Sequence, residues 1–218
     1  MRMAQREVEL AVIGEGGHSK VIMELIHSKE NHRIKAILDD KYTELTLSNG
    51  VYWGPISAAH GLLSQISSLK FVVAIGNNQI RKSIVLKLGL PNHSYISLIH
   101  ETAVISSSAS IGQGTVIMAH ATINADAWVG NHTIINTGGI IEHDNRIGDY
   151  VHIAPRATLT GSVNVKEGTM IGAGATIIPG KSIGEWTIIG AGATVISDIP
   201  ANSTAVGTPA RITKHRIA

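Results

Sequence analysis

From Ile99 onward the chain places an aliphatic residue at every sixth position. The stops are Ile99, Ile105, Ile111, Ile117, Ile123, Val129, Ile135, Ile141, Ile147, Ile153, Leu159, Val165, Ile171, Ile177, Ile183, Ile189 and Val195, and no insertion breaks the phase. Two residues before a stop the side chain is usually small, as at Ala103, Thr115, Ala121, Thr133, Gly139, Ala157, Ala175 and Ala193. Gly often follows a stop, as at Gly112, Gly130, Gly148, Gly172, Gly184 and Gly190. A strict hexapeptide period specifies a β-solenoid, because sandwich strands drift in length and phase. Three hexads close one coil of a triangular prism, and coils stack at about 4.8 Å, the ordinary strand spacing. The aliphatic stops point inward, and the small residues keep the narrow axis from overfilling. The glycines after the stops are expected to relieve tight corners through positive φ.

Such a prism leaves little room for rings, and the chain has only three Trp, four Tyr and one Phe. It has no Cys, so it forms no disulfide and suits a reducing, cytoplasmic location. The first nine residues are polar, so no signal peptide is expected, and no apolar run approaches the ~18 residues of a membrane span. A net charge of +2 without a Lys/Arg cluster argues against nucleic acid as a partner.

Residues 1–98 alternate apolar runs with helical patterns, which predicts a small α/β domain with a Rossmann-like parallel sheet. Apolar residues 8–13 end in a Gly-rich loop from Gly14 through Gly16, Gly17 and His18. A second apolar run, 34–38, ends in Asp39-Asp40, and a third, 71–75, ends in Gly76-Asn77. Ser57 is a candidate helix cap, and Gly89 a helix stop. Ligands of such sheets bind at the carboxyl ends of the strands, where these three segments fall. The loop lets backbone N–H groups approach a phosphate. Asp39 follows at the distance where a carboxylate reaches a ribose or base. Ser19 stands where the dinucleotide fingerprint has its third Gly, so the loop alone is compatible with a nucleotide site or a tight turn. His18 reads equally as a helix-capping residue.

On the prism, the most charged motif is Glu142-His143-Asp144. A His beside a carboxylate is a plausible general base, since the carboxylate sets the tautomer and raises imidazole basicity. Spacing leaves open which carboxylate is the partner, and a solvated corner residue is the alternative. One coil on from His143 stands Gly161, whose N–H can approach a developing oxyanion. His152 is half a coil from His143 and can meet it only across a subunit boundary, which trimeric packing of flat prism faces would supply. His100, His120 and His132 are scattered and read as surface residues. They do not place three His at one level, so no metal site is expected. Residues 99–199 thus form the β-helix domain, and 200–218 a tail turned back over the last coils. Arg211, Lys214 and Arg216 of the tail are candidates for phosphate contact.

The hexads together with the tail Val206-Gly207-Thr208-Pro209-Ala210-Arg211 resemble hexapeptide-repeat acyltransferases that use acetyl-CoA. The segments Gly14-Glu15-Gly16-Gly17-His18, Leu38-Asp39-Asp40, Gly76-Asn77-Asn78-Gln79-Ile80-Arg81-Lys82 and Ile141-Glu142-His143-Asp144 narrow the resemblance to the sialic-acid O-acetyltransferase group. Within it they look most like bacterial UDP-4-amino-sugar N-acetyltransferases of bacillosamine-type pathways. That resemblance implies a left-handed parallel β-helix and a homotrimer with active sites between subunits. It implies His143 as base, Asp144 as its partner and Asn136 as a substrate contact. Gly161 and His152 fall near the thioester, and Ala173 and Ala191 lie along the path of acetyl-CoA by coil spacing. The matches at His18, Asp39 and Asp40 imply a nucleotide-sugar site, with Gly14, Gly76 and Asn77 lining it. O-acetylation of sialic acid or another sugar hydroxyl stays open, because both acceptors need the same proton removed. So does a catalytically silent scaffold.

Overall fold

A computed structural model describes residues 7–215, which form two compact units meeting in sequence at Leu98 and Ile99. In the first unit, β1 (Val8–Ile13), β2 (His32–Leu38), β3 (Thr46–Ser48), β4 (Val51–Gly54) and β5 (Lys70–Val73) form one sheet in the order β3-β4-β2-β1-β5. The interior strand β1, between β2 and β5, is fully buried from Leu10 to Ile13, which is why it reads as an unbroken apolar run. Three helices accompany the sheet, α1 (Gly17–His27), α2 (Ala59–Gln65) and α3 (Asn78–Leu88). Helix α1 buries Ser19, Ile22, Leu25 and Ile26 along one stripe. Helix α3 buries Asn78, Arg81, Val85 and Leu88 in the same manner. Gly89, at φ +58°, ends α3 in the left-handed region.

Two details differ from the sequence reading. The sheet is not wholly parallel, because β3 pairs antiparallel with β4. The intervening Asn49-Gly50 both have positive φ and make the tight turn such a hairpin needs. Ser57 does not cap a helix. It lies inside a short 3₁₀ turn, Ile56–Ala58, that leads into α2.

The second unit is a left-handed parallel β-helix. Each hexad contributes a two-residue strand ending on its aliphatic stop. Partners are eighteen residues apart, as in Ile123↔Ile141, Ile141↔Leu159 and Leu159↔Ile177. Stops from Ile117 to Val195 are buried to within 1 % and fill one continuous core. Each such side chain contributes roughly 1.5–3 kcal/mol by leaving water. Ile99, Ile105 and Ile111, in the first coil, are only partly buried.

The corners work differently from the expectation. Left-handed backbone recurs at every sixth residue from Gly114 to Gly192, three places after each stop. Eight of those fourteen positions are not Gly, among them Asp126, Asp144, Tyr150 and Ser162. The glycines directly after the stops have no positive φ. They are required by the next coil instead. A Cβ on Gly148 would come 2.7 Å from the Glu167 nitrogen, and one on Gly172 would come 2.5 Å from the Ala191 nitrogen.

The tail lies against the last coil, where the Thr194 N–H donates to Gly207 O at 3.0 Å, the Ala210 N–H donates to Thr194 O at 2.8 Å and Thr208 Oγ1 donates to Gly192 O at 3.3 Å. Ser203–Val206 pairs parallel with Ile188–Ile189, and Arg211–His215 pairs antiparallel with Ser203–Val206, lengthening one face of the prism. Arg211 and Lys214 are exposed there, and Arg216 lies outside the described residues.

Candidate functional site

The corner that follows Ile141 is built around an imidazole. His143 and Asp144 are exposed at a turn in which Asp144 takes φ +61°. That left-handed step swings the carboxylate back to His143, and Nδ1 lies 2.7 Å from Asp144 Oδ2. A carboxylate only accepts, so the proton sits on Nδ1 and the lone pair on Nε2. This bond is the largest influence raising His143 above the ordinary 6.5, and the Asp144 and Glu142 charges act in the same direction. Glu142 is not the partner. Its Oε2 accepts from Asn124 Nδ2 at 2.9 Å, one coil below.

Gly161 lies directly against the ring, as its spacing predicted. A Cβ there would stand 2.6 Å from His143 Cε1 and 2.7 Å from Nε2. The next N–H in the chain, on Ser162, donates to His143 O at 2.9 Å and ties the two coils together. Beneath the turn sits Asn145, fully buried, with Nδ2 donating to Glu142 O at 2.7 Å and Thr160 O at 2.9 Å. Asn145 is not among the residues expected from the sequence to serve the site. Its signal is its phase: it holds a polar amide at the position where most other hexads carry Ala, Thr, Gly or Val.

At a different corner, Asn136 and His152 form a pair. Asn136 Oδ1 accepts from the Thr137 N–H at 2.8 Å, which fixes the amide and directs Nδ2 to His152 Nε2 at 3.1 Å. His152 is 9 % exposed and stands between Ile134 and Met170 on its sheet. Ala173 and Ala191 are exposed on the column above Thr137, linked by the Gly192 N–H donating to Ala173 O at 2.8 Å.

In the first unit, the ends of β1, β2 and β5 come together. Gly14 has φ +99° and presses so closely on Ile75 that no side chain fits. Asp39 accepts from the Glu15 N–H at 2.7 Å and the Lys41 N–H at 3.0 Å, latching the Gly-rich loop to the end of β2. Glu15 in turn accepts from the Tyr42 hydroxyl at 2.6 Å and pairs with Lys41 at 3.0 Å. Asp40 turns away, accepting from the Ile56 N–H at 3.0 Å and pairing with Lys87 at 3.5 Å. Asn77 caps α3 by accepting from the Ile80 N–H at 3.0 Å.

His18 lies in the first turn of α1, not at its cap, and its Cβ is the nearest atom to a side chain at Gly76. Burial, then the charge of Arg81, lowers its pKa to about 4. Arg81 is itself buried and donates to Ile75 O at 2.9 Å and Asn78 Oδ1 at 2.9 Å. Its spacing with Val85 and Leu88 already put it on the inner face of α3.

These features have counterparts in known proteins. Residues 9–88 match the family model of the PglD N-terminal domain. Over 110 residues the chain is 51% identical to the UDP-N-acetylbacillosamine N-acetyltransferase of Bacillus subtilis (strain 168). That match covers 50% of this chain and 51% of the relative, so the chain spans about half the length of the curated relative it matches. Solved structures match throughout. PerB from Caulobacter crescentus, in complex with CoA and GDP-perosamine, superposes with a TM-score of 0.85 at 38% identity, over 94% of this chain and 97% of that one. This chain belongs to the sugar N-acetyltransferase family that carries a PglD N-terminal domain. The acetyltransferase domain of PglB from Neisseria gonorrhoeae FA1090, in complex with acetyl coenzyme A, matches with a TM-score of 0.83 at 36% identity, over 94% and 99% of the two chains.

Within this acetyltransferase fold, the predicted residues fall into four groups, Ala173 and Ala191 on their column being one and Asp40 standing apart from all. His143, Asp144 and Gly161 form another, Asn136 and His152 a third. Gly14, His18, Asp39, Gly76 and Asn77 gather at the strand ends of the first unit. His132 was read as a surface residue and is not one. It is 2 % exposed and stacked on Tyr150, with ring centroids 5.4 Å apart, because the left-handed corner positions align eighteen residues apart. Among the described residues no cluster of three metal-ligating side chains occurs, and no helix is long and apolar enough to cross a membrane.

Proposed function

We propose that the chain is an acetyl-CoA-dependent N-acetyltransferase acting on the 4-amino group of a UDP-linked sugar in surface-glycan synthesis. The observation that carries this is the His143–Asp144 pair, which leaves the Nε2 lone pair beside Gly161 as a base. His143 Nε2 takes a proton from the sugar amine as its nitrogen bonds to the thioester carbonyl carbon. The tetrahedral oxyanion meets the Gly161 N–H, a fixed donor. Collapse breaks the carbon–sulfur bond, and the proton returns from the imidazolium to the departing CoA thiolate. Asp144 steadies that transient charge. No covalent enzyme intermediate is formed, in keeping with a chain that has no Cys.

The nucleotide sugar is assigned to the loops after β1, β2 and β5, where helix α1 begins and Asp39 holds the Gly-rich loop. The acetyl-CoA path is assigned to Ala173 and Ala191, whose small exposed side chains leave room on that column. Asn136 and His152 are assigned to the neighbourhood of the thioester. They and His143 stand at different corners of one prism, so the working unit is taken as a homotrimer that completes each site from two chains. A cysteine-free enzyme using acetyl-CoA fits the cytoplasm.

The test is a product assay. Purified protein is incubated with acetyl-CoA and, separately, a UDP-4-amino sugar, GDP-perosamine and free sialic acid. The mass gain of one acetyl group on the UDP sugar is expected. Acetylation confined to GDP-perosamine would reassign the nucleotide, and acetylation of sialic acid alone would replace N- by O-transfer. No turnover of any of them would favour a scaffold.

A further inference from the structure

Two residues before a stop the prism has a position that is buried from Thr115 to Ala175 and again at Thr187 and Ala193, with Lys181 half-buried between them, and its occupants differ between corners. One corner uses Thr115, Thr133, Thr169 and Thr187, each fully buried. Their hydroxyls donate across to the next coil, to Gly130 O, Gly148 O, Gly184 O and Pro200 O, at 2.7–2.9 Å. The corner carrying His143 has Ala127 below and Val163 above, both buried and apolar. Coil stacking there demands no polar group, yet the residue between them is Asn145.

The amide has one possible orientation. Nδ2 faces three carbonyls, Glu142 O at 2.7 Å, Thr160 O at 2.9 Å and His143 O at 3.4 Å, and rotation would set Oδ1 against them. Oδ1 is buried without a hydrogen-bond partner among the described residues. An orphaned buried acceptor is destabilising, and Ala or Val would avoid it. The return lies in the donors. The bond to Thr160 O repeats the inter-coil bond of the threonines. The bond to Glu142 O has no counterpart among them, and it holds the peptide that leads into His143.

We infer that Asn145 is a positioning residue for the base: it clamps the Glu142–His143 turn from inside the prism, so that the imidazole rests over Gly161 with Nδ1 on Asp144. It touches no substrate and acts through backbone. The inference rests on the reading of His143 as general base.

Asn145→Thr and Asn145→Val test it, assayed beside wild type and His143→Ala with acetyl-CoA and a UDP-4-amino sugar. Thr retains a donor for Thr160 O, and Val copies the residue one coil above. Both variants are expected to melt close to wild type and to keep KM for acetyl-CoA. Both should lose kcat by about 10- to 100-fold, the scale of a displaced catalytic group. The acid limb of the pH profile should move down toward 6.5 as the bond to Asp144 loosens. A folded variant with wild-type kcat and an unmoved acid limb overturns the inference. So does full rescue by Thr of a rate lost in Val, because inter-coil bonding would then suffice. Loss of activity in His143→Ala with unaffected Asn145 variants sinks the clamp alone, whereas an active His143→Ala sinks the base and the clamp together. If neither Asn145 variant folds, hydrogen exchange of the Asn145 side-chain amide in wild type decides. Slow exchange supports the clamp, and rapid exchange overturns it.

Discussion

The His143 imidazole lies so close to Gly161 that a Cβ on residue 161 would stand 2.7 Å from Nε2. The two residues are one coil apart, and the ring occupies space that exists only because residue 161 has no side chain. Gly161 has no positive φ, so Ala fits its backbone without strain. Gly161→Ala should therefore fold with little change in Tm but push the imidazole aside. We expect kcat to fall on the order of 10²-fold. Steady-state kinetics with a melting curve check this, and wild-type kcat in the folded variant would refute the placement.

Asp144→Asn separates electrostatics from geometry. Asn tolerates the left-handed region, so the turn survives. The hydrogen bond to a carboxylate is the leading cause of the raised His143 pKa. Activity needs the neutral ring, so the wild-type rate falls as pH drops through a value above 6.5. In Asp144→Asn that limb should shift to lower pH, with a plateau rate at least ~10-fold lower. A profile of rate against pH for both proteins is the measurement.

His18 makes stability depend on pH. Its folded pKa is about 4 against 6.5 for the free group, so the folded state binds fewer protons than the unfolded state between those values. The contribution is fully present above pH 6.5 and is lost as pH falls toward 4. The loss should approach about 2 kcal/mol, since the side chain is only partly shielded. Denaturant melts at pH 7 and pH 4.5 should show this slope in wild type and not in His18→Gln.

Two glycines on neighbouring corner positions should respond in opposite ways. A Cβ on Gly172 meets the backbone of the next coil at 2.5 Å, whereas Gly192 has φ +67° and open space around it. Gly172→Ala should cost about 1–3 kcal/mol through overpacking. Gly192→Asn should be nearly neutral, because Asn accepts that backbone. Equal Tm values for the two variants would contradict the assignment of steric and conformational roles.

The ladder and its register were legible because a solenoid repeats one local solution. Position in the hexad told whether a side chain faced in, and eighteen residues told what stood above it, which is how Gly161 was matched to His143. Corner conformation was not legible. The left-handed residue falls three places after the stop, and Asp144, Tyr150 and Trp186 hold that conformation as readily as Gly because inter-coil hydrogen bonds enforce it. Asn145 and Arg81 were hidden for another reason. Their phase puts both on inward faces, but a polar side chain is stable there only where backbone carbonyls close around it, and those partners are set by the fold.

By itself the sequence determined the prism, the α/β unit before it and the candidate chemistry of Glu142-His143-Asp144, since period, hydropathy and residue type are local properties. Spacing left Asp144 and Glu142 both open as the partner of the imidazole, and the tertiary structure shows the bond to Asp144; it alone decided that His132 is buried against Tyr150 and that Asn145 reaches beneath the base. Hydrogen bonds depend on distances of a few tenths of an ångström between atoms brought together by folding, and no spacing along a chain specifies those.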